Sequence, residues 1–485
     1  MKRYFTLLFF GFSSFLLSAQ NQVGNSLYGE GTGNFFGSSV ALSTDGTRLA
    51  VGAIGNSEVA FRAGHARVFE WTAGNWVQLG EDIDGDNEWG LMGDAVSLSA
   101  DGNRVAVGAP GTINGSLNGI VKVFDWDGES WIQVGADLIG PAVRDLWGTS
   151  LSLSSDGNLL AIGASHNEAG EVRILEWEGT QWVQVGQTIK GEAEWDRFGR
   201  SVSLAGNGDR VAIGAITNDD GGESAGEVKI FTWIGQSWAQ LGSDLVGYSA
   251  GDNFGWVVSL SDDGNRLAVT SRYDHRQMEF GAGYVRTFEW DGSVWRSLGQ
   301  DINAQNTGPL GGRGVAMSAD GNRIVVGARN FSGGEYLPGY LNVYEWQATD
   351  WGLVETQLEV ISEGEGIIDV VAISGDGNRF VFGTEKGGDS LGWAGKVEVF
   401  EFNPVSTEPV PFYDSIEIFP NPSSGHFRIK GIKEGQRRIF DSMGKEHFIS
   451  SDLNKEINIS HLPQGIYWLQ FNLSGREVIK SLVKY

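Results

Sequence analysis

Cysteine is absent from the 485 residues, histidine occurs 6 times, and no stretch beyond residue 19 is long and apolar enough to span a membrane. The first absence excludes disulfides and thiolate chemistry, so packing must supply the stability. The second leaves little for histidine-based acid–base work. His426, His447 and His461 fall in the last 70 residues, and His65, His166 and His275 occupy no common repeat position. Because a membrane-spanning helix needs about 20 apolar residues, no transmembrane segment is expected. The one candidate stretch, residues 4–17, follows Lys2-Arg3 and precedes Ser18-Ala19. That pattern is a secretory signal peptide over residues 1–19, cut after Ala19. Positive charge is also scarce, with 35 Lys/Arg against 61 Asp/Glu and a net charge of −26. So acidic a chain is repelled by nucleic acid and by anionic membranes, which are excluded as partners. The imbalance is uneven: residues 415–485 hold 10 Lys/Arg and 7 Asp/Glu, leaving 25 and 54 for the rest. A separate C-terminal module is expected.

What the chain does contain is one unit seven times over. VSLSADGNRVAVGA (96–109) has close copies starting at Val40, Leu151, Val202, Val258, Val315 and Val371. Their turn glycines, Gly46, Gly102, Gly157, Gly208, Gly264, Gly321 and Gly377, are 51 to 57 residues apart, a repeat architecture. Large and small residues alternate with the period of a strand, and Asp101-Gly102 between the two runs predicts a two-residue hairpin turn. Strands bulky on one face and small on the other suit sheets wedged between neighbouring sheets, as in propeller blades. Most units add a second hairpin with Trp-x4-Trp spacing: Trp71/Trp76, Trp126/Trp131, Trp177/Trp182, Trp233/Trp238, Trp290/Trp295 and Trp346/Trp351. Facing aromatics of this kind are expected to be structural.

Residues 20–37 align without a gap on residues 182–199, the end of one unit and the start of the next, while the last unit stops near Phe402. The N-terminal strand is therefore expected to complete the seventh blade and close the ring, removing exposed sheet edges. The expected fold is all-β: a seven-bladed β-propeller over residues 20–402, a Pro-rich linker over 403–415 and a small Ig-like β-sandwich over 416–485.

Phe36-Gly37, Phe198-Gly199 and Phe254-Gly255, each followed by the repeated strand, resemble the FG-GAP repeats of integrin-alpha-type propellers. Repeats two, three, six and seven depart from the motif, with Met92-Gly93, Trp147-Gly148, Gly311-Gly312 and Ile367-Ile368. Calcium-binding members of that family carry several acidic residues in the first hairpin turn, where this chain offers mainly one, such as Asp101. Apart from the family, Asp82, Asp84, Asp86 and Glu88 offer oxygen ligands of the kind Ca2+ takes, without EF-hand spacing. No other cofactor is expected.

From Ile416 the pattern changes to short alternating runs parted by Gly, Pro and Asn, the pattern of a small β-sandwich. Pro420-Asn421-Pro422, the block from Leu462 to Tyr467 and the basic end together resemble the type A C-terminal sorting domain of type IX secretion cargo in Bacteroidota. The resemblance implies passage to the periplasm and then across the outer membrane, with the type IX machinery as a partner. The cargo is then held at the cell surface or released. The other reading of this module is an adhesive or spacer domain.

With four antiparallel strands per blade, the second-to-third and fourth-to-first connections share one face and differ most between units. Variable loops on a rigid scaffold are where binding concentrates. Trp89, Trp195, Trp256 and Trp393 lie outside the paired positions on or near these connections, suited to stacking on a sugar or gripping a peptide. Each could equally fold back over its blade. In the fifth repeat Tyr273, Asp274, His275 and Glu279 could serve as acid and base, but a solvated loop has the same composition. The expected function is non-catalytic binding or adhesion to a glycan or protein ligand, the alternative being a secreted hydrolase or lyase acting on glycans.

Overall fold

The computed structural model describes residues 21–111, 118–166, 168–275, 283–303, 314–332, 335–359, 370–384, 392–402, 417–419, 421–430, 436–441, 445–447, 457–473 and 476–485. The expected signal peptide (1–19) and linker (403–415), and the residues Glu279, Gly311-Gly312 and Ile367-Ile368, lie outside them. The described secondary structure is strand, with no α-helix among the described residues. The chain divides into two compact units, 1–403 and 404–485.

In the first unit each repeat becomes one antiparallel sheet. The second repeat is typical: Ala95–Leu98, Arg104–Ala109, Ile120–Trp126 and Trp131–Gln133 pair in chain order, and Leu138–Ile139 adds to the third strand. Seven such sheets occur among the described residues. The last takes its outer strands from the other end of the chain. Asn21–Gln22 pairs with Phe400 and Glu401, Leu27–Tyr28 pairs with Lys396 and Val397, and Val23 N–H donates to Val399 C=O at 2.8 Å.

The repeated turn is longer than the two-residue hairpin its Asp-Gly pair predicts. Five residues, 99–103, separate the strands, and only Gly102 takes a positive φ, 67°. Asp101 is there as an acceptor: its carboxylate receives Ser99 Oγ at 2.6 Å and Asn103 N–H at 2.9 Å, while Ser99 Oγ accepts Arg104 N–H at 3.0 Å. An Asx-type loop of this kind needs αL only at its glycine, which is why the motif extends to Ser-x-Asp-Gly-Asn-Arg. Burial tends to raise the Asp101 carboxyl, but these hydrogen bonds and Arg48 outweigh it and hold it below the ordinary range.

The same loops join neighbouring repeats. Main-chain N–H groups of Thr44, Ala100, Ser155, Gly206, Asp262, Ala319 and Gly375 each donate to the next residue in that series, and Gly375 donates to Thr44 at 2.9 Å. The motif arginines reach the same way: Arg48 to Gly102 C=O, Arg104 to Gly157, Arg266 to Gly321 and Arg379 back to Gly46 at 3.0 Å. The third repeat carries Leu159 where the others have arginine.

Tryptophan does comparable work at the second hairpin. Trp71 and Trp76 are cross-strand partners with ring centroids 5.4 Å apart, and the other five pairs lie at 5.4 to 5.6 Å. The second indole of each pair donates to a carbonyl of the preceding sheet, as Trp131 does to Leu79 at 2.8 Å and Trp238 to Val185 at 3.0 Å. Trp76 finds its acceptor, Val23 C=O at 2.9 Å, in the N-terminal segment. The hydrophobic cores also lie between repeats. One contains Val23, the first repeat's Phe36, Val40, Leu49 and Val51, and the last repeat's Val381, Val397 and Val399.

In the second unit, a three-stranded sheet and a four-stranded sheet enclose a core of Phe427, Ile439, Ile457, Ile459, Leu462, Tyr467, Leu469 and Leu482.

Candidate functional site

The Phe-Gly motif breaks the strand ladder at its first residues. Phe36 pairs with Ala53, but the next pair is Ser39 with Gly52, so two residues bulge from the ladder. Phe198/Ser201 and Phe254/Val258 show corresponding irregularities. The glycine makes the bulge possible through its positive φ: 91° at Gly37, 85° at Gly199 and 87° at Gly255. A bulge re-aims the side chain beside it. Here the residue after the glycine, Ser38, Asp94, Thr149, Arg200 or Trp256, lines a cavity of about 380 Å3 to which the first strands of all seven sheets contribute.

Asp94 and Arg200 make this cavity electrostatically lopsided. Each is partly exposed to the cavity but enclosed by protein at depth. Burial pushes the Asp94 carboxyl up to about 6, against the opposing pull of Arg200. Burial lowers the Arg200 guanidinium; Asp94 opposes this, and Arg197 and Arg272 add repulsion. A raised acid is a destabilising one. Below the unfolded value of 3.8 both states are protonated; between about 4 and 6 the folded state increasingly holds the proton the unfolded state has lost, and stability falls until pH passes 6. Asp94→Asn is therefore expected to leave the unfolding free energy unchanged near pH 3.5 and to raise it by at most about 3 kcal/mol at pH 8. Denaturant titrations at the two pH values check this, and a gain of equal size at both would remove ionisation as the cause.

Five of the six sequence-selected aromatics fall into two arrays, each bridged by an arginine. Beside the cavity, Arg200 Cζ lies 4.9 Å and Arg272 Cζ 4.4 Å from the Trp256 ring; Arg272 is also 5.2 Å from Tyr273, whose ring is 5.8 Å from that of His275. Trp256, Tyr273 and His275 thus form one run. Trp393 and Trp89 belong to another: Trp393 meets Phe35 at 5.9 Å, Arg62 lies 5.5 Å from Phe35 and 5.3 Å from Trp89, and Trp89 meets Phe61 at 4.9 Å. Trp195 stands apart, 63% exposed and edge-on to His166 at 5.8 Å. Trp89, Trp195 and Trp393 have φ of 61°, 74° and 60°, a left-handed conformation costing a bulky residue about 1 kcal/mol or more.

The described start of the fifth-repeat loop, residues 271–275, is tied to the neighbouring connection. His275 N–H donates to Asp252 at 3.1 Å, and its Nδ1 lies 3.3 Å from the same carboxylate oxygen. Asp252 is fully buried and also accepts Tyr284 Oη at 2.9 Å and Ser249 N–H at 3.0 Å. Asp145 and Asp196 accept loop N–H groups at corresponding places, so this carboxylate is a recurrent loop fastener. Asp274 is buried. Ser271, the nearby hydroxyl, is buried, with Oγ 2.7 Å from the carbonyl oxygens of both Asp252 and Tyr273, to either of which its one proton can be donated.

The acidic trio proposed for calcium does not converge. Asp82 and Asp84 flank His65, whereas Asp86 pairs with Lys122. Sequence reading alone missed Asp94, Arg200, Arg272, Arg62 and His65. A signal for two of them was present: the residue after the motif glycine varies as Ser38, Asp94, Thr149, Arg200 and Trp256 within otherwise repeated surroundings.

Residues 417–485 match the family model described as a secretion system C-terminal sorting domain, and residues 189–231 match the FG-GAP repeat. The chain is a β-propeller protein with FG-GAP repeats and a C-terminal secretion sorting domain. The β-propeller domain of Myceliophteria thermophila Cps50 (Swd1) superposes with a TM-score of 0.51 at 12% identity, covering 79% of this chain and 100% of that one. A candidate 6-phosphogluconolactonase from Bacteroides uniformis gives 0.46 at 12% identity over 67% and 85%. No curated protein sequence matches the chain. The sorting domain places this propeller protein on the type IX secretion route, with export to the cell surface or the extracellular space.

Proposed function

We propose that the exported propeller is a non-catalytic binding protein that holds a glycan on the face carrying its long connections. The observation behind this reading is the placement of its exposed aromatics. Tyr28, Phe61, Trp195, Tyr248 and Trp393, each 44 to 63% exposed, all lie on second-to-third or fourth-to-first connections. The twelve paired tryptophans at the opposite turns are packed. Rigid aromatic faces beside guanidinium groups suit the apolar faces and hydroxyls of sugar rings. A protein ligand would use the same surface. Hydrolysis at the fifth-repeat loop is the weaker reading, because Asp252 serves as a fastener there and the Ser271 hydroxyl is turned into the main chain.

The scaffold for this face is, in our reading, a closed ring of seven blades completed by the N-terminal strand. The cyclic series of seven hydrogen bonds and the cavity shared by seven first strands support it. We read the sorting domain as an Ig-like sandwich on its two sheets and single core.

The test is retention of the full chain on a panel of insoluble polysaccharides, with the supernatant assayed for released sugar. Retention without release is expected. Trp195→Ala and Trp393→Ala should each weaken retention about tenfold or more, while unfolding free energy stays within roughly 0.5 kcal/mol. Release of sugar would overturn the non-catalytic reading, and absence of retention across the panel would turn the search to protein ligands.

A further inference from the structure

A fully buried imidazole on the first repeat lies among carboxylates without a proper hydrogen bond of its own. His65 opens the strand His65–Thr72 with no exposed surface. Its Nδ1 is 3.0 Å from Asp82 Oδ2 and 3.9 Å from Asp84 Oδ1. Neither ring nitrogen is aligned with an acceptor or donor, and Asp84 Oδ1, also closed to solvent, is equally without a partner. Glu30 completes the group, with donor atoms of Glu30, His65 and Asp82 all within 4.8 Å of one another. The Asp84 carboxyl is pushed up, chiefly by burial; His65 opposes this, while Asp82, Glu58 and Glu30 add to it.

The fourth repeat shows the equivalent place with an ammonium in it, although Glu227 Oε1 there is likewise buried without an aligned partner. There the Lys229 ammonium lies 2.6 Å from Glu192, 3.1 Å from Glu227 and 3.4 Å from Asp244. Glu192, Glu227, Lys229 and Asp244 correspond to Glu30, His65, Arg67 and Asp82. The first repeat differs in three ways: His65 replaces Glu227, Arg67 replaces Lys229, and Asp84 replaces Val246 as the cross-strand partner of residue 65. Arg67 takes only part of the ammonium's role, acting on Asp82 through its charge without pairing with it. Its guanidinium goes to Glu30, 3.2 Å away, and to the Tyr28 carbonyl, 3.0 Å away. Apart from His65 itself, no lysine or arginine among the described residues forms an ion pair with both Asp82 and Asp84.

We propose that Glu30, His65, Asp82 and Asp84 bind one divalent cation of the transition-metal class, with zinc as the representative ion. A nitrogen donor among carboxylates suits such an ion better than calcium, which takes oxygen ligands. The ion supplies the positive charge that Lys229 supplies in the fourth repeat and occupies the unaligned lone pairs of His65 and Asp84. Its place in the fold gives it a role. Glu30 belongs to the segment whose strands pair with the last repeat, and His65, Asp82 and Asp84 belong to the first, so the ion clasps the two ends of the repeat array.

The test is calorimetric titration of the full chain, after dialysis against chelator, with ZnCl2 and separately with CaCl2. One equivalent of zinc is expected, bound at least about tenfold more tightly than calcium. Asp82→Asn and Asp84→Asn should each reduce zinc affinity about tenfold to a hundredfold, and Asp86→Asn and Glu227→Gln should leave it unchanged. The two aspartates are chosen because they are partly exposed; a buried His65→Ala can also perturb folding, so its melting curve without metal must accompany its titration. Zinc should also slow proteolysis within residues 21–35. No zinc uptake would overturn the proposal, as would uptake that survives both aspartate variants.

Discussion

Deleting residues 21–29 is expected to unfold the propeller unit rather than shorten it. The segment is spread over two repeats. Asn21–Gln22 and Leu27–Tyr28 pair with the last sheet, Val23 is buried in the core joining last and first repeats, and the Val23 carbonyl accepts the Trp76 indole. Gly24, at φ 76°, lies so close to Trp71 that a Cβ there would come within 2.7 Å of the ring. Burial of one valine contributes about 1.5 to 3 kcal/mol, and each lost main-chain hydrogen bond about 1 kcal/mol. The total is about 5 kcal/mol or more, comparable with the whole stability of many domains. The deletion would also bare the edge of the strand Lys396–Glu401, an invitation to aggregation. Denaturant unfolding and gel filtration of the truncated chain check this. A monomer that unfolds cooperatively at the parent's midpoint would mean that the ends of the array are held by something other than this strand.

How much of this was legible beforehand depended on whether the signal recurred. The all-β class, the sheet from each unit and the tryptophan pairs were all readable because each pattern occurs six or seven times, so accidents average out. The gapless match of residues 20–37 to residues 182–199 likewise anticipated the pairing of Asn21 with Glu401. The turn was misread because Asp-Gly carries two meanings in a hairpin: a pair of positive-φ residues, or an acceptor followed by one αL residue. Ser99 and Arg104, five residues apart, decide for the second. The site was less readable for a different reason. Arg62, Arg200 and Arg272 act by lying across aromatic rings far from them in the chain, and no local pattern encodes that. Trp256 was recognisable by its chemistry, but its company was not. The acidic trio was likewise grouped by sequence alone. Asp82, Asp84 and Asp86 look like one cluster in sequence, yet Asp86 is drawn off by Lys122, and Asp82 is grouped instead with Glu30 and His65.

Gly214→Val is the substitution expected to do most damage from a single side chain, at about 3 kcal/mol or more. The position explains the glycine in the repeated Val-Gly-Ala. A Cβ on Gly214 would lie 2.2 Å from the Gly255 carbonyl oxygen and 2.5 Å from Ser201 Oγ. The same collision recurs at Gly52 with Gly93 and at Gly163 with Gly199, at 1.9 and 2.2 Å. In each case the obstacle is main chain of the next repeat at its bulge. It cannot swing aside as a flexible side chain would, so one methyl group must separate two sheets. Separation would reach the cavity, because the residues after those bulge glycines, Asp94, Arg200 and Trp256, line it. The fifth repeat carries Thr270 at this position, and the following repeat there reads Gly311-Gly312 instead of Phe-Gly. Gly235→Ala provides the contrast: it lies at a hairpin tip with φ 93° and nothing within 4 Å of a Cβ, so only backbone strain of about 1 kcal/mol is expected. Denaturant midpoints of the two variants, measured with the parent, test the difference. Equal losses would mean that conformational freedom, rather than contact between adjacent sheets, is what the glycine of Val-Gly-Ala provides.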